Sequence, residues 1–166
     1  MQDTSSFREF YELYAGMVYN LCLNYLQNPE EAEEATQDVF VKAHKKWDTF
    51  RQEAQRKTWL YRISINQCLD MLKARKRQKR FGIHTELEGV SAAEINHPGI
   101  QLEDKEALEA LLRQINTLPD KQKTAIILKH IEGMSMKEIG EVLKISPKAV
   151  ESLLSRAKAA LKKKRN

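Results

Sequence analysis

The sequence predicts an all-α protein made of two small helical domains joined by a flexible linker. Apolar residues recur at three- and four-residue spacing along most of the 166 residues, and alternating strand patterns are absent. That periodicity fades once, from Phe81 to about Leu102, where Gly82, Gly89, Asn96, Pro98 and Gly99 punctuate an acidic stretch. Beyond it, a short amphipathic pattern, a tight turn and a longer amphipathic pattern follow one another. The expected divisions are residues 1–80, a linker over 81–102, and residues 103–166.

In the first domain, Phe7, Phe10, Tyr14, Met17, Leu21 and Tyr25 mark the apolar face of a long helix. Asn28 supplies an N-cap for the next helix, Pro29 fits its first position, and Glu30, Glu31, Glu33 and Glu34 place negative charge at the positive end of its dipole. This second helix runs towards Trp47. After the polar stretch DTFRQEAQRK, a third helix is expected over about 58–79. Tyr61, Ile65, Cys68 and Leu72 fall on one side of it as core. Trp59, Ile63, Asn66, Asp70, Lys73 and Arg77 line the other, a mixed stripe that runs into KARKRQKR, where six of eight residues are basic. The last domain reads as four helices, over about 103–116, 120–132, 136–143 and 147–164.

Composition and spacing exclude several classes. A hydrophobic share of 42% beside 31% charged residues is that of a folded protein. No apolar run approaches the roughly 20 residues of a membrane span, and the start MQDTSSF lacks a signal-peptide pattern, so a cytoplasmic protein is expected. Cys22 and Cys68 sit singly in apolar helical patterns and read as buried thiols, while His44, His84, His97 and His130 show no metal-ligand spacing. A nuclease using Glu33, Glu34 and Asp38 would need a second carboxylate cluster, and none appears. With no phosphate-binding glycine loop and no nucleophile motif either, no catalytic residue, metal, cofactor or small-molecule substrate is expected.

Charge is uneven: net +1 over 1–78, −3 over 79–104 and +7 over 105–166. That excess favours a polyanionic partner for the C-terminal domain. Its segment SMKEIGEVLKISPKAVESLLSRAKAAL has the grammar of a helix-turn-helix. Met136, Ile139 and Leu143 line the short helix, Gly140 marks a close approach, Ile145 and Val150 lock the pair, and the second helix begins after Ser146. Lys144 stands at the turn where glycine often supplies a left-handed residue, at a cost of about 1 kcal/mol if φ is positive. On the second helix Val150, Leu154, Ala157 and Leu161 face inward, leaving Lys148, Ser152 and Ser155 outward with Glu151 and Arg156 on the flanks. Short hydrogen-bonding side chains suit base edges in the major groove, and Lys148, Arg156 and Lys158 suit phosphates.

The segments EEAEEATQDVFVKAHKKWDTF and KTWLYRISINQCLDMLKARKR resemble regions 2.2 to 2.4 of the sigma-70 family, and LPDKQKTAIILKHIEGMSMKEIGEVLKISPKAVESLLSRAKAAL resembles its region 4. With only a short linker between them and nothing before the first helix, the chain resembles the extracytoplasmic-function subgroup, which lacks regions 1.1 and 3. The resemblance implies a transcription initiation factor that brings core RNA polymerase to promoters. Glu34, Gln37, Asp38 and Phe40 match positions that dock on the β′ clamp helices, as an acidic and amide face with one exposed aromatic.

Phe50, Arg51 and Gln52, in a loop over 50–55, match the segment that captures a flipped base of the −10 element; Asn66 and Asp70 match polar positions facing the same strand. Lys73 and Arg77, with help from Arg75, would hold the exposed strand; Trp59 either joins them or belongs to the core, since the family usually has an aromatic at this position. Lys148, Ser152, Ser155, Arg156 and Lys158 would meet the −35 element, although Glu151 and Leu153 stand where the family often has arginine or lysine. The resemblance further implies docking of region 4 on the β flap, through apolar residues of its first two helices, and an anti-sigma factor, often membrane-anchored. The competing reading is a free-standing LuxR-type regulator, whose DNA-binding domain shares the ISPKAVE pattern.

Overall fold

The computed structural model describes residues 4–49, 53–82 and 102–165, and every described element is helical. The chain divides into two compact units, Met1–Val90 and Ser91–Asn166.

The first unit is built on three long helices: α1, Thr4–Leu26; α2, Pro29–Lys45; and α3, Glu53–Arg80. The α1–α2 corner is tight. Gln27 takes a left-handed φ of 53°, and the Asn28 side chain accepts the Glu31 N–H at 3.1 Å, so the N-cap expected at Asn28–Pro29 is formed. Between α2 and α3 lies a 3₁₀ turn, Trp47–Thr49. α3 begins earlier than its apolar periodicity suggests, because Glu53, Ala54 and Gln55 are helix formers that need no buried face to join it. Those three residues, expected in a loop, are therefore helical.

Val18, Leu21, Cys22 and Tyr25 of α1 pack with Ala32, Ala35 and Val39 of α2 and Leu60, Ile65 and Cys68 of α3, all buried. Leu72 is only half-buried, at the level where the core thins. Cys22 and Cys68 are free thiols at 0% exposure, and a hydrogen bond between them, reinforced by burial, pushes the Cys68 thiol well above its ordinary value. They are core groups, as expected. At the other end, Phe7, Phe10, Phe40 and Trp47 form an aromatic cluster, edge-to-face at Phe7–Trp47 and Phe10–Phe40, with the Arg56 guanidinium 4.0 Å from the Trp47 ring centroid.

The second unit is made of shorter pieces: α4, Leu102–Ile115; α5, Asp120–Ile126, continuing into a π-helical segment, Ile127–Ile131; α6, Met136–Leu143; and α7, Pro147–Arg165. Its core joins Leu112, Ile115 and Leu118 to Ile126, Ile127, Leu128, Ile139, Val142, Val150, Leu154 and Ala157. Lys123 is also buried, at 2% exposure, so one cation counted in the basic excess of this unit is unavailable to a polyanion.

Candidate nucleic-acid interface

The turn between α6 and α7 is positioned by caps and a close backbone approach within a few residues of one another. A capping box starts α6: the Ser135 hydroxyl accepts the Glu138 N–H at 3.1 Å, and the Glu138 carboxylate accepts the Ser135 N–H at 3.3 Å. At its other end Lys144 adopts φ 59°, ψ 44°, the left-handed conformation anticipated for the turn, and the Ile145 N–H reaches the Gly140 carbonyl at 3.0 Å. A Cβ on Gly140 would lie 2.6 Å from the Ile145 carbonyl oxygen, so the close approach at this position is met by turn backbone that no side chain can displace cheaply. Ser146 then caps α7 by accepting the Ala149 N–H at 3.1 Å, with Pro147 as its first residue.

These constraints turn one face of α7 outward. Val150, Leu154 and Ala157 are buried, while Lys148, Glu151, Ser152, Ser155, Arg156 and Lys158 are all exposed. The sequence-predicted residues of this helix thus share one solvent-facing surface. Beside it, His130 lies close enough to Lys158 and Lys129 for both charges to act on it; partial desolvation first, then those two lysines, lowers its pKa from the usual imidazole value.

In the first unit the α3 stripe is only partly as expected. Asn66, Asp70, Lys73 and Arg77 are exposed and lie at helical spacing on one face. Ile63 is half-buried. Trp59, at 6% exposure, is core. Periodicity puts Trp59 on the outer side, but in this stretch of α3 Leu60, Tyr61, Ser64 and Ile65 are buried with it, so more than one side of the helix is covered. Arg75 is a second correction: its guanidinium donates to the Leu26 carbonyl at 3.1 Å and pairs with Glu31, which ties the end of α3 to the α1–α2 corner and removes this cation from the open face. Among the described residues Lys73, Lys76, Arg77, Lys79 and Arg80 form no such pair and stay exposed. Phe50, Arg51 and Gln52 lie outside the described residues.

On α2, Glu34 and Gln37 are exposed. Asp38 is half-buried and accepts a hydrogen bond from the Gln67 side chain at 3.2 Å, and Lys42 donates to the same Gln67. Gln67 therefore joins α2 to α3, a role that no local pattern announces. Phe40, expected as an exposed aromatic, is 5% exposed, with its ring 4.7 Å from that of Tyr11. Around Phe40 it is Tyr11 and Val41 that are exposed, at 46% and 53%. They flank an open groove of about 530 Å³ that also meets Phe7, Gln37, Phe40 and His44.

A helix-turn-helix with a polar and cationic outer face, in one chain with a long helix whose exposed stripe mixes amide, carboxylate and cationic groups and runs into a basic end, defines a DNA-binding protein. Comparison with known proteins narrows this. Residues 10–78 match the sigma-70 region 2 family and residues 108–161 the sigma-70 region 4 family. The chain is 32% identical to the ECF RNA polymerase sigma factor SigW of Bacillus subtilis, over 97% of this chain and 89% of the relative. Identity is 31% to the RNA polymerase sigma-H factor of Pseudomonas aeruginosa, over 90% and 81%, and 27% to the ECF sigma-E factor of Escherichia coli K12, over 98% and 87%.

The fold is that of the sigma factor RpoE in its complex with the anti-sigma factor NepR from Bartonella quintana, with TM-score 0.71 at 22% identity, covering 96% of each chain. It is also that of CnrH in complex with the cytosolic domain of CnrY, with TM-score 0.66 at 22% identity, covering 97% of this chain and 88% of that one. The chain belongs to the extracytoplasmic-function group of the sigma-70 family of RNA polymerase sigma factors. It is a non-catalytic transcription initiation factor, and the region 2 match sets aside the free-standing regulator.

Proposed function

We propose that the two units divide promoter recognition between them, each through one exposed helix face. The observation that carries this reading is the α3 face: Asn66, Asp70, Lys73 and Arg77 stand exposed in one row while neighbouring Arg75 is withdrawn into the fold. The amide and cationic groups of this row suit an unstacked, negatively charged strand, and the Asp70 carboxylate is tolerated there where an unstacked base donates a hydrogen bond to it. In this reading Asn66 and Asp70 contact −10 bases, Lys73 and Arg77 hold the strand, and Phe50, Arg51 and Gln52 complete the base pocket. Lys148, Ser152, Ser155, Arg156 and Lys158 meet the −35 element from α7.

Glu34 and Gln37 on α2 dock on the β′ clamp helices, with the groove beside Tyr11 and Val41 supplying apolar contact where Phe40 is covered. Asp38 contributes mainly by holding Gln67. The C-terminal unit docks on the β flap through apolar residues of α4 and α5. Residues 1–80 act as region 2, 81–102 as the linker and 103–166 as region 4. One structural relative is a sigma factor in complex with an anti-sigma factor, which supports an anti-sigma factor as a further partner, one often anchored in a membrane. The site of action is the cytoplasm; among the described residues no helix is long and apolar enough to cross a membrane.

The test is transcription in vitro with sigma-free core polymerase on a promoter from upstream of the gene encoding this chain. Transcripts that depend on the added protein are expected. Asn66→Ala and Arg77→Ala are expected to impair promoter opening more than core binding, and Glu34→Lys to weaken core binding first. Failure of core polymerase to bind the protein or to initiate with it overturns the proposal.

A further inference from the structure

We propose that Glu151 selects a cytosine in the −35 element. The inference rests on the reading of α7 as the helix that enters the major groove. Glu151 is the fifth residue of that helix, one turn beyond Lys148, next to Ser152 and fully on the exposed side. The N-terminal residues of such a helix are the ones that reach base edges.

Nothing in the fold employs this carboxylate. Among the described residues it makes no hydrogen bond or ion pair, and no exposed cation is held against it. Its position lies past the first turn, where the helix dipole ceases to favour an acid. A segment of net +7 nevertheless brings it towards phosphate, so a bare carboxylate there opposes binding unless it gains a hydrogen bond from the DNA.

The major groove offers two donors to such a group, the exocyclic amines of cytosine and adenine. On adenine the N7 acceptor stands beside N6, so the second carboxylate oxygen meets a lone pair; an amide side chain is the matching partner there. On cytosine the neighbour of N4 is a C–H edge, and an ionised carboxylate accepts the N4–H without a facing acceptor on that base. The geometry therefore points to cytosine, with Lys148 and Arg156 free to hold phosphates on either side.

The test uses holoenzyme assembled from core polymerase and the full chain, selecting on promoters with a randomised −35 element. Wild type is expected to enrich cytosine about tenfold at one position, and Glu151→Ala to equalise the bases there while leaving the others unchanged. N4-methylcytosine at that position, which replaces the groove-facing N–H but preserves pairing, is expected to lower wild-type occupancy to that of E151A and not to affect E151A. Identical base profiles for the two proteins would overturn the role of Glu151 alone. A library from which wild type enriches no −35 sequence, and to which Arg156→Ala is indifferent, overturns the reading of α7 and the inference with it.

Discussion

The two units place their outward helix faces by different means. In the first, α3 is held by long side chains that cross between helices: Arg75 reaches Glu31 and the Leu26 carbonyl, and Gln67 bridges Asp38 and Lys42. In the second, the α6–α7 turn is set by local constraints: the Gly140 backbone contact, the left-handed Lys144 and the short side-chain caps at Ser135 and Ser146. A face held by side chains fails when one of them is deleted. A turn that needs a close backbone approach fails when an atom is added.

Both tryptophans, Trp47 and Trp59, lie in the first unit, so tryptophan fluorescence follows that unit while circular dichroism follows both. This separates the outcomes. The largest effect is expected from Gly140→Ala, whose Cβ meets a carbonyl oxygen at 2.6 Å: a loss of about 3 kcal/mol in the second unit, with −35-dependent transcription falling while the fluorescence transition stays in place. An unfolding curve equal to wild type by both probes would break the backbone half of the comparison.

Arg75→Ala is expected to cost about 2 kcal/mol in the first unit, since it removes a partly buried charged hydrogen-bond donor and leaves Glu31 unpaired. Lys73→Ala, two residues away and exposed, is expected to change stability by no more than about 0.5 kcal/mol while weakening DNA binding. Equal destabilisation by the two would show that Arg75 is not a brace. Lys144→Gly works in the opposite direction, relieving a left-handed lysine and stabilising the second unit by about 0.5–1 kcal/mol, read as a higher melting temperature by circular dichroism.

The smallest effect concerns pH. His130 has its pKa lowered in the folded state by desolvation, Lys158 and Lys129, so the unfolded chain takes up the proton more readily. Its contribution to stability is therefore present above the ordinary imidazole value of about 6.5 and is lost as pH falls from there towards the folded value. His130→Gln is expected to reduce the drop in melting temperature of the second unit between pH 7 and pH 5.5, measured by circular dichroism on both proteins. An unchanged drop would remove the histidine from the account.

Much of this was legible in sequence because it is local. The α2 cap at Asn28, the left-handed turn at Lys144, the close approach at Gly140 and the outward row on α7 all follow from residues within a few positions of one another. The α3 stripe was legible only where the helix has neighbours on one side. At Asn66, Asp70, Lys73 and Arg77 the periodic reading holds, but Trp59, on the same side by spacing, is buried. Phe40 is likewise covered, by Tyr11 and Phe10 of α1.

The sequence by itself determined that the chain is helical, where the helices cap and turn, and that α7 carries a basic, hydrogen-bonding face. Those features are written in spacing and in the conformational limits of single residues. Only the tertiary structure decided which cations of KARKRQKR remain available, because Arg75 finds its partners 44 and 49 positions away in sequence. It likewise decided that Asp38 is engaged by Gln67, 29 positions along the chain. A charged side chain is equally at home in water or against a distant partner, and the choice depends on packing that no local pattern records.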